Sequence, residues 1–123
     1  MLVIDENQNI HINRGDSGVI HFSTTESDGS VHTFEIGDII RFSVKDKYSN
    51  PIPALRKDVI VSEETDTINI DLSKNDTTIG SLIDRPKKYV YDIAINEDET
   101  VVGYNEESGP KYFVLYPEAS NDE

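Results

Sequence analysis

Gly15-Asp16-Ser17-Gly18 is the stretch whose residue types come nearest to chemistry, since a serine in such a turn can lie beside backbone amides that stabilise an oxyanion. A serine nucleophile also needs a histidine base and an aspartate to orient it, and proteases built on this segment supply both from well upstream. Only 14 residues precede Gly15, so the segment reads as a structural turn. Arg14-Gly15-Asp16 is also the integrin-binding tripeptide, but three letters recur by chance and the turn reading covers them too. Gly15 is expected to take a positive φ, and Asp16 to bond nearby amides.

The remaining reactive side chains form no recognisable set. His11, His21 and His32 fall at alternate, outward strand positions, with no spacing that makes them converge on a metal. Glu63-Glu64-Thr65-Asp66 and Glu97-Asp98-Glu99 lack the alternating ligands and the glycine of a calcium-binding loop and read as solvated turn tips. Asn75-Asp76-Thr77 fits a glycosylation sequon, which is idle without secretion. With no cysteine there is neither a thiolate nucleophile nor a cysteine-held zinc. The expectation is a protein that is not an enzyme, with no cofactor and no metal.

Charge narrows the partners. The net charge of −13, from 24 acids and 11 bases, argues against unaided binding to nucleic acid or to anionic membranes. From Asn96 onward eight acids face Lys111 alone. Most bases cluster twice, at Lys45, Lys47, Arg56 and Lys57 and again at Arg85, Lys87 and Lys88. The first cluster is the candidate partner-docking surface, meeting acidic surface on a neighbour with charge setting orientation and encounter rate. Met1 to Glu6 has neither a basic nor an apolar leader region, so the expectation is a soluble protein not exported by this route.

The elements that position these residues are strands. Lys87 to Ile95 is the strongest, with Tyr89, Tyr91, Ile93 and Ile95 on one face and Val90, Asp92 and Ala94 on the other. Ile39 to Lys45 alternates in the same way, turning Ile40, Phe42 and Val44 inward. Further strands are expected over Leu2–Ile4, Asn9–Ile12, Val19–Phe22, Val31–Ile36, Leu55–Val61, Thr67–Leu72, Thr100–Tyr104 and Lys111–Tyr116. Asp28-Gly29 suits a hairpin, and Ser73 as N-cap allows at most one short helix near 73–80. The pattern predicts an all-β, two-sheet antiparallel sandwich of immunoglobulin-like type over residues 1–117, with 118–123 a disordered acidic tail. Ile20, Phe22, Phe34, Ile40, Phe42, Ile68, Ile70, Tyr91, Ile93 and Phe113 form its expected core.

Five features stand in a particular order over about residues 9 to 117: the alternating strand ending in Arg14-Gly15-Asp16-Ser17, the Ile39-Ile40-Arg41-Phe42-Ser43-Val44 strand, Ile70-Asp71-Leu72-Ser73-Lys74-Asn75-Asp76-Thr77, the Tyr89 to Ile93 strand, and a closing Gly109, Phe113, Val114, Pro117 pattern. In that order the chain resembles the N-terminal domain family of the baseplate upper proteins of tailed phages that infect Gram-positive bacteria. The resemblance implies a β-sandwich virion module, an adaptor or decoration subunit that docks onto other tail or baseplate proteins, with a homo-oligomer possible in the assembly and no nucleic acid or membrane partner. It also implies that Arg14 to Ser17 is a structural turn. Asn50-Pro51-Ile52-Pro53 and Asn105 to Pro110 look like longer loops than that pattern expects. The rival reading is an acidic phage inhibitor that mimics DNA and blocks a host nuclease or restriction enzyme.

Overall fold

A computed structural model of the protein describes residues 2–118, and among them nine strands and no helix make an all-β fold. The strands are β1 (Val3–Ile4), β2 (Ile10–Asn13), β3 (Gly18–Phe22), β4 (Ile39–Lys45), β5 (Leu55–Ile60), β6 (Ile68–Leu72), β7 (Lys87–Ile95), β8 (Glu99–Val102) and β9 (Tyr112–Tyr116). β7 organises them. Aromatic and β-branched residues suit its pleated, half-buried surface. One of its edges pairs with β4, from Ile40 opposite Ile95 to Lys45 opposite Val90. The other edge is shared, β9 taking Lys87 to Val90 and β8 taking Ile93 to Ile95 across a bulge. The large sheet then runs β1-β2-β9-β7-β4-β5, and β3 pairs with β6 in a small second sheet.

The two sheets enclose one core. All ten residues expected there are at most 6% exposed, with Phe34, Ile40, Phe42, Ile70 and Phe113 at 0%. Each large apolar side chain removed from water contributes about 1.5–3 kcal/mol. Phe42 is the centre, its ring 5.5 Å from that of Tyr91 and 6.1 Å from that of Phe113.

The expectation needs three amendments. The large sheet is mixed, because β2 runs parallel to β9 from Ile10 opposite Phe113 to Asn13 opposite Tyr116. The turn after Asn13 carries the chain across to the small sheet instead of back along the large one, so β2 and the closing strand meet pointing the same way. Val31 to Ile36 is not a strand. Gly29 (φ +91°) folds 25–31 into a tight hairpin, and Phe34 exchanges two backbone bonds with Thr65 as an isolated bridge that plugs the sandwich. Ile36, expected to share its inner face, is 73% exposed instead, because Gly37 (φ +96°) turns the chain there.

Residues 73–80 form no helix. Ser73 and Asp76 make the reciprocal bonds of a helix start, Asp76 Oδ2 accepting from Ser73 N at 2.8 Å and Ser73 Oγ from Asp76 N at 3.2 Å. The segment stops after one turn because Thr77 is drawn inward and Gly80 sits at φ +71°. Of the expected tail, Glu118 lies beside Arg14, and 119–123 lie outside the described residues.

Candidate functional site

The face of the large sheet away from the core carries the other half of each strand's alternation, polar at most positions. On β4 these are Arg41, Ser43 and Lys45; on β5 Arg56, Asp58 and Ile60; on β7 Val90, Asp92 and Ala94. Arg41 lies directly opposite Asp58 and grips it with Nε at 3.0 Å and Nη2 at 3.3 Å, while Nη1 reaches Glu97 Oε2 at 2.7 Å. Arg56 Nη2 adds a bond of 3.0 Å to the same aspartate. The guanidinium groups of Arg56 and Arg41 together hold the Asp58 carboxyl at about 2, below its ordinary 3.8. Asp58 and Glu97 in turn push the Arg41 guanidinium upward. Burial raises Asp92 against a smaller opposing pull from Lys45.

The four candidate docking residues do not form one patch. Arg56 projects outward into the Asp58 cluster. Lys57, one residue on, takes the inner face of β5 between Leu55 and Val59, where Nζ pairs with Asp76 Oδ2 at 3.0 Å. An inward charge on an edge strand discourages pairing with a stray strand. Lys45 and exposed Lys47 form no ion pair among the described residues.

The register adds a feature that spacing hides. Because β4 runs against β7, Lys45 lies opposite Val90, toward the end of β7 that carries Lys87 and Lys88 of the second basic cluster. Lys87 Nζ stands 3.9 Å from Asp46, the residue between Lys45 and Lys47. Acids gather at the other end of β7, where Asn96 links its turn, with Glu97, Asp98 and Glu99, to Asp38 before β4. The nine residues of β7 hold the two ends roughly 25 Å apart.

Arg14-Gly15-Asp16 is a tied turn. Gly15 takes φ +89°, and its N–H donates to Thr77 Oγ1 at 3.0 Å. Thr77, 0% exposed, donates to the Asp16 carbonyl at 2.7 Å. Arg14 donates to the carbonyls of Ile79, Thr78 and Gly80 and to Glu118 Oε1. An adhesive arginine is presented to a partner; this side chain is 11% exposed.

Each histidine is engaged separately, His11 with Asp5 and Tyr116, His21 with Asn69, and His32 with Glu26. Among the described residues no group of three His, Asp or Glu is arranged to hold a metal ion, and no helix is long and apolar enough to cross a membrane. Sequence pattern marks Lys111 only as a lone base among acids. The structure buries it to 6% exposure, with Nζ on Ser108 Oγ at 2.7 Å. Fold and surface define a β-sandwich module whose charge is polarised along its central strand. Set against protein-family models, curated proteins and solved structures, the chain matches none.

Proposed function

We propose that this chain is a structural module of a phage or prophage virion, an adaptor or decoration subunit of the tail baseplate that works by docking to other proteins. The observation that carries the reading is the charge polarity of the large sheet, with Lys45, Lys47, Lys87 and Lys88 at one end of β7 and Glu97, Asp98 and Glu99 at the other. Tail assemblies are rings in which one surface of a subunit meets a different surface of its neighbour, and opposite-signed ends orient such a head-to-tail contact. The resemblance of its ordered motifs to those of the baseplate upper protein family suggests the setting. Self-repulsion at −13 keeps the free chain apart until a partner is present.

The DNA-mimic reading has less support, because a mimic must offer its carboxylates outward in a phosphate-like array. Here Asp58 and Asp76 are spent on the chain's own arginines and lysine. The docking experiment uses Lys45→Glu with Lys47→Glu, since reversing Arg56 or Lys57 would also break internal pairs. Incorporation of the double variant into particles is expected to fall, more at low salt than at moderate salt, because exposed charges are screened beyond about 8–10 Å. Unchanged incorporation at both salts removes the electrostatic docking.

A further inference from the structure

Lys111 is an unusual residue in this chain, a cation at 6% exposure in a protein of net charge −13. Buried lysines are nearly always paired with an acid. Among the described residues this one has no carboxylate within ion-pair distance, and its partner is the neutral hydroxyl of Ser108. Lys111 and its partner Ser108 both line a polar cleft of about 320 Å³ between the 103–109 hairpin, β8 and the turn before β2. Thr100, Tyr104 and Gln8 also line that cleft, and their side chains make no hydrogen bond to another described residue. Gln8 is held at φ +68° while its carbonyl accepts from the Tyr91 hydroxyl. A non-glycine residue in that region costs about 1–3 kcal/mol, a cost that recurs at binding sites. A hydroxyl-rich wall, a carboxamide and one unneutralised ammonium make a site for an anion.

The neighbourhood decides the kind of anion. Glu106 and Glu107 on the same hairpin, and Glu99 beside Thr100, are exposed and repel a small free ion. We propose that the cleft receives one aspartate or glutamate side chain of a docked polypeptide, whose other contacts offset that repulsion. This rests on the reading of the chain as a docking module and names a chemical requirement of its partner.

The test is an NMR titration of the isotopically labelled full chain at constant ionic strength, with a blocked, otherwise uncharged heptapeptide carrying one central glutamate as probe, so that flanking backbone can make the offsetting contacts, and its glutamine counterpart as the neutral control. Saturable shifts are expected at the Ser108 and Lys111 amides and the Lys111 ε-methylene, with the glutamine probe at least about tenfold weaker, as loss of a charge-assisted bond requires. Lys111→Met should abolish the response, and Ser108→Ala, which keeps the ammonium, should weaken it with the fold intact. Three results would overturn the proposal: equal binding of the glutamine probe, shifts shared equally with exposed Lys47, or no saturation. Acetate binding as tightly as the glutamate probe would also overturn it, in favour of a free-anion site. A failed titration leaves docking through Lys45 and Lys47 standing, and failure of that docking leaves the titration unchanged.

Discussion

Replacing Thr77 by valine asks whether the Arg14-Gly15-Asp16 turn is tied down by a single hydroxyl. The side chain is fully buried, donates to the Asp16 carbonyl at 2.7 Å and accepts from the Gly15 N–H at 3.0 Å. Valine has the same shape and neither function. Leaving a buried polar group unpaired costs about 1–3 kcal/mol, so two such groups, partly relaxed, should cost about 2–4 kcal/mol. Thr77→Ser keeps both bonds and loses one methyl, which costs about 1 kcal/mol. In a domain of this size each kcal/mol moves Tm by roughly 3–5 °C, so valine should lower it by about 6–20 °C and serine by about 3–5 °C. Thermal unfolding followed by circular dichroism reads both. The order is the test, because burial of apolar area alone favours valine; a valine variant as stable as the serine one would refute the tie.

Phe42→Ala, which empties the centre of the core at 0% exposure, should cost about 3–5 kcal/mol and largely unfold the domain in a urea titration. Asp58 is held at about 2 against 3.8, so its stabilisation is full above the ordinary carboxylate range and is lost as pH falls toward 2. Asp58→Asn should flatten the acid limb of a stability–pH curve between those values. Asp92 is shifted the other way by burial, so its contribution is present below the ordinary carboxylate value and lost as pH rises through the raised one. Asp92→Asn should raise Tm at pH 7 and change little at pH 3.

The strands were legible wherever one face is buried and the other wet. Lys87–Ile95 and Ile39–Lys45 have the limits their alternation predicts, because a slip of one residue would turn Tyr91 or Phe42 to solvent. Alternation carries no information about a partner's direction, so the parallel pairing of β2 with β9 was hidden. Phe34 was rightly placed in the core on the wrong kind of element, since an isolated bridge to Thr65 buries it as well as a strand would. The docking residues were legible as charges and not as a surface. Arg56 and Lys57 are adjacent in sequence and on opposite faces, whereas Lys45 and Lys88 are far apart in sequence and brought to the same end of β7, Lys45 lying opposite Val90. Lys111 shows a milder form of the same limit, because Ser108 is three residues away but Gln8 reaches the cleft from the other end of the chain.

The central claim is that this chain belongs to a virion, and mass spectrometry of gradient-purified particles from an induced host tests it most directly. The account predicts peptides of this chain co-sedimenting with tail proteins, at a stoichiometry set by the symmetry of the ring it joins. Particles that contain the tail proteins and lack this chain, while the chain is abundant in the same lysate, would contradict it.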